Sequence, residues 1–274
     1  MQAKKNIFDP HLFGKRELKA GEYPDLNVLF EDNHVLAIIK PSGIPTQSDI
    51  TGDMDIQTIA KEYIKKKYGK PGNVYIGLVH RLDRSVSGPL ILARTSKAAA
   101  RLSESFRNHN VKKLYHAVVI GSLPSKDGVC EDYIKKNSKL KIATCCKPET
   151  KGAKLATLKY RVLKQYKMTE QEIKNLFGEF RLQRSPENPS ATHPLSLLEV
   201  ELFTGRFHQI RCQLSKMGFP ILGDIKYNSN FVFKRRFLAL QSVYLEFPHP
   251  SKNQNITVKG DEKFLEIFTK FQSN

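Results

Sequence analysis

The apolar positions of this chain form two patterns, and each pattern predicts one kind of element. Short β-rich apolar runs bounded by Gly, Pro, Asn or Asp are typical of strands. Such runs lie at residues 27–31, 34–40, 89–94, 112–121, 196–205 and 237–247, with shorter ones within 128–146 and 153–166. Where apolar residues recur every three or four positions, the pattern predicts helices. These segments are residues 54–68, 95–109, 169–177, 206–218 and 261–271.

The order of these elements indicates the fold class. Many strands with few helices, not in strict alternation, favour an α+β fold with a mixed, mainly antiparallel central β-sheet and flanking helices and loops. Residues 1–26 have no clear periodicity and are interpreted as an N-terminal arm. Residues 27–274 are interpreted as one domain, with a polar insertion at about 167–194.

The charge of the chain points to a polyanionic partner. Its 274 residues contain 45 Lys and Arg against 27 Asp and Glu, a net charge of +18. Such an excess attracts nucleic acid and releases its counterions on binding. Ribosome association and an anionic membrane surface are the alternatives. No apolar run reaches the roughly 18 residues that a transmembrane helix needs, so we expect no membrane-spanning segment.

The cysteines and the N-terminus bear on the compartment. The four cysteines form no C-x-x-C pair, and the adjacent Cys145 and Cys146 are interpreted as buried or idle thiols rather than metal ligands. The N-terminus has no apolar core of signal-peptide type. We therefore expect a reducing compartment and a cytoplasmic location, with an organelle left open.

The run GLVHRLDRSVSGPLILA at residues 77–93 is the richest in candidate chemistry. It places Asp83 between Arg81 and Arg84. A carboxylate beside fixed cations stays ionised, and an ionised, positioned Asp can act as a nucleophile or as a base. The two arginines can meet a phosphate backbone or fill a gap in a base stack. Taken alone, the run is more typical of a surface loop of paired charges.

Four segments, taken in order, carry a resemblance to a known family. They are KPSG at residues 40–43, HRLDRSVSG at 80–88, KKLYHAVVIG at 112–121, and TGRFHQIRCQL at 204–214 with GFPILGDIKY at 218–227. Together they resemble the RluA-type pseudouridine synthases, enzymes that isomerise uridine in RNA, whose patterns are HRLDxxTSG and TGRxHQIRxH. The resemblance runs from about residue 27 to residue 250. It implies that the domain is catalytic, with a cleft that crosses the sheet.

The resemblance implies roles for three catalytic residues. Asp83 matches the essential aspartate, which attacks ribose C1′ or abstracts a proton in a glycal route; the sequence leaves these two routes open. Arg211 matches the arginine that pairs with this acid. Tyr115 matches the tyrosine that stacks on the target base and lies near its proton transfers.

The resemblance also implies a set of RNA contacts. Arg81 matches the arginine that fills the helix gap when the uridine is flipped, a step needed because the base must leave the stack. The further predicted substrate contacts are Arg84, His80, Lys40, Arg206 and His208. Lys40 can contact the RNA backbone or hold its turn, with the structural role slightly favoured, and both histidines suit hydrogen bonding better than metal binding. The chain departs from the pattern at Val86, Pro89, Phe207 and Gln213, which affects substrate fit more than chemistry.

The predicted function is therefore the isomerisation of specific uridines in rRNA or tRNA to pseudouridine. Because the isomerisation moves no electrons and needs no activated water, we expect no cofactor and no metal. We expect RNA as the partner and a monomer. The alternatives are a catalytically inactive RNA-binding or ribosome-assembly protein on the same fold, and an N-glycosylase that flips and hydrolyses a base.

Overall fold

The computed structural model describes residues 25–48, 52–183, 192–234 and 237–271. The strands are β1 (Val28–Glu31), β2 (Val35–Lys40), β3 (Gly77–Leu78), β4 (Gly88–Ala93), β5 (Lys112–Ile120), β6 (Asp127–Asn137), β7 (Ile142–Cys146), β8 (Lys154–Met168), β9 (Phe180–Leu182), β10 (His193–Leu202), β11 (Phe231–Phe233), β12 (Leu240–Pro248) and β13 (Asn255–Lys259). The helices are α1 (Ile56–Lys67), α2 (Ser96–Arg107), α3 (Glu170–Phe177), α4 (Gln209–Lys216) and α5 (Lys263–Phe271). The predicted arm at residues 1–26 lies almost wholly outside the described residues, as does part of the insertion.

The described residues fall into two compact units. Residues up to Lys113 together with Ser242–Asp261 form the first, here called the Asp83 unit. Leu114–Gln241 and the residues from Glu262 onward form the second, here called the Arg211 unit. The chain passes between the units inside β5 and again inside β12. The interpretation of residues 27–274 as one catalytic domain stays a prediction.

The Asp83 unit contains a four-stranded antiparallel sheet in the order β1-β2-β4-β3, and an antiparallel pair of β12 with β13. Burial of β4 on both faces explains its continuous apolar run. The core packs strand residues such as Ile91 and Phe247 against Leu102 of α2. Asp55 and Thr95 cap α1 and α2 by accepting backbone hydrogen bonds from residues three positions ahead.

The Arg211 unit contains strands in the order β5-β10-β8-β6-β7, all antiparallel, and a separate β9–β11 pair. Helix α4 packs on β6 and β7, where Ala143, Ala156 and Cys212 share a buried cluster with Tyr227. Helix α3 begins with a capping box formed by Thr169 and Glu172. These elements confirm the predicted α+β class and its mainly antiparallel pairing.

One helix starts later than its pattern predicts. The apolar spacing indicates a helix over residues 206–218, but α4 begins at Gln209. His208 precedes it with φ 51 and ψ 29, the left-handed region, and Gln209 Oε1 accepts hydrogen bonds from Arg206 N at 3.0 Å and Thr204 Oγ1 at 2.7 Å. The left-handed conformation of His208 breaks the helical geometry before Gln209, so Arg206 and His208 lie in a turn that the Gln209 side chain stabilises.

Candidate active site

The loop that carries Asp83 is held through the carbonyl groups around the acid. Thr46 Oγ1 donates a hydrogen bond to Leu82 O at 2.8 Å and accepts one from Leu82 N at 3.3 Å. Ser42 Oγ donates to Ser85 O at 2.8 Å. Asp83, which is half-buried, therefore lies between two backbone positions that the preceding loop fixes. The preceding loop contains the KPSG run, so two of the four sequence segments meet here.

Lys40 acts from inside the same loop. Its side chain is fully buried, and Nζ donates to the carbonyl oxygens of Pro41 at 2.7 Å, Ile44 at 2.9 Å and Arg84 at 3.2 Å. Burial lowers the pKa of Lys40 to about 7, while the charge of Asp83 opposes this shift. The geometry favours the structural role among the two that the sequence left open, because a buried ammonium bound by three carbonyls does not present itself to a phosphate.

Gly43 and Arg84 complete the contact between the two segments. Gly43 has φ +92, which favours glycine, and its N–H donates to Arg84 O at 2.7 Å. The Arg84 side chain donates from Nε to Gly43 O at 2.8 Å and forms an ion pair with Asp53. Arg84 thus binds back onto its own loop.

The far end of the acid-bearing loop is held by a second anchor. Ser242 N donates to Ser87 O at 2.9 Å, and the adjacent Gly88 has φ +128. A Cβ at Gly88 would lie 2.1 Å from Ser242 O, so only glycine permits this approach. The loop is therefore fixed before the acid by Thr46 and after it by Ser242.

The two neighbours of Leu82 on the N-terminal side behave differently. The His80 ring accepts a hydrogen bond from Ile91 N at 2.9 Å through Nε2 and stacks on Phe106 at 4.6 Å. Burial of this ring lowers the pKa of His80 to about 3, so the imidazole is neutral and acts in packing. Arg81, in contrast, is exposed. Of these two predicted RNA contacts, Arg81 presents its side chain to solvent, whereas the His80 ring is used in packing.

In the Arg211 unit, Arg211 is buried and forms a bidentate ion pair with Asp224. Nε donates to Oδ2 at 2.7 Å and Nη2 donates to Oδ1 at 2.8 Å. Its guanidinium carbon also lies 5.1 Å from the centroid of the Tyr227 ring, a cation–π contact. Asp224 belongs to the GDIKY run, and its role in holding Arg211 is not visible in the sequence alone.

Tyr227 connects this arginine to its surroundings. Its hydroxyl accepts a hydrogen bond from Ala143 N at 2.6 Å and lies 3.0 Å from His208 Nδ1. Burial raises the pKa of Tyr227, so the hydroxyl stays protonated. Phe207 stacks on His208 at 3.8 Å, and Lys136 Nζ lies 4.8 Å from the Phe207 ring. Phe207, which departs from the family pattern, therefore adds a stacked ring to the predicted site residue His208.

Helix α4 is fixed on the sheet by Gln213, another departure from the family pattern. This side chain is fully buried, and Nε2 donates to Cys130 O at 3.3 Å, Ala156 O at 3.1 Å and Asp132 Oδ2 at 2.8 Å. Near the start of α4, Arg206 Nε donates to Leu155 O at 2.8 Å. Gln213 therefore holds the helix that positions Arg211.

Tyr115 lies on the sheet face that α4 covers. It is opposite Val200, whose other neighbour is Tyr160 on β8. Alternation along β8 places Ala156 on the same face as Tyr160, and Ala156 packs against Cys212 of α4. Tyr115 and Arg211 are thus on one side of the Arg211 unit, and Tyr115 is buried with 7% of its surface exposed.

The structure thus groups the predicted site residues by unit. The Asp83 unit brings together Lys40, His80, Arg81, Asp83 and Arg84, and the Arg211 unit brings together Tyr115, Arg206, His208 and Arg211. Thr46, Ser42, Gln209 and Asp224 hold these residues and were missed by the sequence reasoning. Ser42, Gln209 and Asp224 had a signal, since each lies in a segment that carried the resemblance, whereas Thr46 lies outside those segments. Within the described ranges, no cluster of three or more His, Cys, Asp or Glu side chains could hold a metal ion.

Comparisons with known proteins identify the family of this chain. The model of the family described as RNA pseudouridylate synthase matches residues 34–216. The tRNA pseudouridine synthase C of Salmonella typhi is 29% identical over 255 residues, 90% of each chain. The ribosomal large subunit pseudouridine synthase C of Buchnera aphidicola subsp. Acyrthosiphon pisum is 32% identical over 240 residues, 85% of this chain and 66% of the relative.

Solved structures show the same fold. Human RNA pseudouridylate synthase domain containing 4 matches with a TM-score of 0.65 at 23% identity, over 90% of this chain and 93% of that chain. Human RNA pseudouridylate synthase domain containing 1 matches with a TM-score of 0.62 at 22% identity, over 88% of this chain and 84% of that chain.

The matched residues include both the Asp83 loop and the Arg211 helix. The chain belongs to the RNA pseudouridylate synthase family, the isomerases that convert uridine in RNA to pseudouridine. None of the helices in the described part of the chain has the length and apolar character of a membrane span.

Proposed function

We propose that this protein converts specific uridines of tRNA or rRNA to pseudouridine, with Asp83 as the catalytic carboxylate. The observation that carries the proposal is the double anchoring of the Asp83 loop by Thr46 and Ser242. A reaction that needs a fixed carboxylate gains from such anchoring, because a displacement of about 1 Å can cost on the order of a hundredfold in rate.

The isomerisation sets the tasks of the site. The C1′–N1 bond breaks, the uracil turns, a C1′–C5 bond forms, the C5 proton leaves and N1 gains a proton. Asp83 either attacks ribose C1′ or removes a proton in a glycal route, and both routes need an ionised carboxylate. We assign to Arg211 the role of the arginine that serves this acid in the family, and within the Arg211 unit its guanidinium is held by Asp224.

The substrate enters as a flipped nucleotide. Arg81 is exposed beside the acid, and a planar guanidinium can stack in the gap that the uridine leaves. Tyr115 stacks on the flipped base near its proton transfers. The tRNA and rRNA alternatives both come from the names of relatives, tRNA pseudouridine synthase C and ribosomal large subunit pseudouridine synthase C.

Pseudouridine mapping of total RNA tests this proposal. Host cells that lack the gene are complemented with the wild type, Asp83→Asn or Asp83→Ala, and the maps are compared at matched protein levels. Sites that depend on the wild type and vanish in both variants support the proposal and name the RNA. Sites retained in Asp83→Asn would overturn the role of Asp83. RNA binding without conversion, or release of free uracil, would indicate the inactive binding protein or the N-glycosylase.

We further expect a monomer that needs no cofactor or metal, in the cytoplasm. The reaction is an internal rearrangement without net oxidation or hydrolysis, which is why we expect no cofactor and no metal. Activity that survives exhaustive chelation and gel filtration supports the expectation that no metal or cofactor is needed. Light scattering measures the mass in solution, and fluorescence microscopy of a tagged chain tests the location.

A further inference from the structure

Two cysteines from distant parts of the sequence meet beside Arg211. Cys145 lies at the end of β7 and Cys212 lies on α4, directly after Arg211. Their Sγ atoms are 3.3 Å apart. Cys146 is the neighbour of Cys145, and its Sγ instead donates to Tyr133 O at 3.5 Å. The Cys145 thiol therefore contacts α4, whereas the Cys146 thiol contacts the backbone of β6.

We propose that Cys145 and Cys212 form a reversible disulfide, a redox-modification site that displaces Arg211 and slows the isomerisation. The bond itself does not depend on the proposed function, whereas its effect on rate rests on it. The required oxidant is a peroxide and the required reductant is a dithiol. No other pair of cysteines with this approach is present in the described ranges.

The chemistry of the pair supports the step. A hydrogen bond from Cys145 lowers the pKa of Cys212, and the same bond, together with burial, raises the pKa of Cys145. The Cys212 thiolate attacks hydrogen peroxide to give a sulfenic acid and one water. The Cys145 sulfur then attacks the sulfenic sulfur, which forms the disulfide and releases a second water. The two thiols lose two electrons and two protons, and the peroxide oxygens gain them.

Bond formation requires movement, because an S–S bond is about 2.05 Å long and the sulfurs stand 3.3 Å apart. If α4 moves, the displacement reaches Arg211 directly, since it precedes Cys212 in the helix. If β7 moves, the displacement reaches Arg211 through Ala143, whose N–H binds the Tyr227 hydroxyl at 2.6 Å below the guanidinium. Movement of either element therefore alters the surroundings of the same arginine, whereas closure by rotation of the two side chains alone would leave the rate unchanged, an outcome that the rate measurement below distinguishes.

The test measures the bond and the rate separately. Purified full-length protein is treated with hydrogen peroxide, alkylated and digested with trypsin, which releases Cys212 in the peptide CQLSK at residues 212–216. The wild type and Cys146→Ser are expected to join this peptide to residues 142–151, while Cys145→Ser and Cys212→Ala are expected not to. A link through Cys146, a link between two molecules, or no link in Cys146→Ser would overturn the proposal.

The rate is followed by tritium release from 5-tritiated uridine in total RNA of a strain that lacks the gene. We expect oxidation to lower the rate on the order of tenfold or more in the wild type and Cys146→Ser, with recovery in dithiothreitol. Cys145→Ser is expected to keep its rate under peroxide. An oxidised wild type with a confirmed bond and an unchanged rate would overturn the effect on Arg211. A reduced wild type that releases no tritium would instead contradict the proposed function, whatever the peptides show.

Discussion

Arg211 donates two hydrogen bonds to Asp224, and both side chains are buried. A guanidinium that donates from both Nε and Nη2 to one carboxylate has a fixed plane, so the direction of its remaining N–H groups is fixed as well. The sequence resemblance assigns Arg211 to the catalytic acid and is silent on what holds Arg211. Asp224 supplies that second partner, and it makes the position of Arg211 a property of the Arg211 unit itself.

Replacement of Asp224 by Asn tests this dependence. The amide keeps the shape of the side chain but leaves the Arg211 charge without its buried counterion, which typically costs about 3 to 5 kcal/mol of stability. We expect tritium release to fall on the order of a hundredfold in the fraction that remains folded. Urea unfolding gives the stability, and single-turnover kinetics give the rate. The matched control is Glu199→Gln, which breaks the more exposed pair with Arg161 and is expected to change stability by less than about 1 kcal/mol.

Thr46→Val tests the anchoring of the acid. Valine keeps the volume of threonine but removes the hydroxyl that binds Leu82 O and Leu82 N, at an expected cost of about 1 to 3 kcal/mol. Because Thr46 touches the loop rather than the RNA, we expect kcat to fall about tenfold or more with KM almost unchanged. The control is Thr269→Val, where an exposed hydroxyl bonds its own helix. Equal kinetics for the two variants would contradict the role of the anchor.

The buried ammonium of Lys40 predicts a pH dependence of stability. Burial lowers its pKa from 10.5 to about 7, so the unfolded chain binds a proton between these values that the folded chain has lost. Stability rises with pH wherever the unfolded state binds more protons. The penalty for burying this charge is therefore complete below about pH 7 and is relieved as the pH approaches 10.5.

Lys40→Met removes this titration. We expect the stability of the wild type, measured relative to Lys40→Met, to increase by a few kcal/mol between pH 6.5 and pH 10. Urea unfolding at both pH values, with both proteins, measures the difference. The exposed Lys139→Met serves as the control, because its ammonium is solvated in both states. A constant difference between wild type and Lys40→Met would show that Lys40 does not lose its proton on this range.

Gly88→Ala tests the second anchor of the loop. The substitution places a methyl group against Ser242 O at a backbone conformation of φ +128, and we expect a loss of at least about 3 kcal/mol in stability. Gly72→Ala is the matched control, because a Cβ there meets nothing within 4 Å. Thermal unfolding of the two variants gives the comparison. A Gly88→Ala protein as stable as Gly72→Ala would contradict the close approach.

A basic segment of the Arg211 unit predicts where salt acts on RNA binding. Residues 135–154 contain seven lysines, all exposed, and one acid, Glu149. Neutralising contacts to phosphate reduces the salt dependence of binding, by about 0.7 in the log–log slope for each contact to a single strand. We expect the triple change of Lys135, Lys136 and Lys139 to Gln to flatten this slope for total RNA.

The control for the salt experiment changes the same number of charges elsewhere. Lys65, Lys66 and Lys67 lie at the end of α1, and their replacement by Gln alters the net charge equally. Filter binding between 50 and 300 mM KCl compares the slopes. An equal loss of slope in both triple variants would mean that the net charge, rather than the basic segment, sets the response.

The sequence predicted the main elements because their patterns are local. The continuous apolar runs of β2 and β4 and the apolar spacing of α1 and α2 each lie within one stretch of the sequence, and all four elements form there. The pairing of β9 with β11 was missed, since each strand has three residues and Phe231 pairs with the distant Leu182. The strand β13 was missed as well, although Ile256 and Val258 alternate with exposed residues along it.

The site shows the same division between local and distant information. Asp83 and Arg211 stand in long motifs, so the resemblance named both. Thr46 and Asp224 act through contacts whose partners are far away in the sequence, and no local pattern records such contacts. The late start of α4 likewise depends on the left-handed conformation of His208, which the apolar spacing of the sequence does not record.

The contact of Gly88 with Ser242 has a consequence for synthesis of the chain. Asp83 leaves the ribosome well before Ser242, which follows it by 159 residues. Until Ser242 has emerged, the loop with the carboxylate has Thr46 as its anchor but lacks the second one. A nascent chain can therefore carry basic side chains near RNA before the arrival of Ser242 completes the anchoring of this loop.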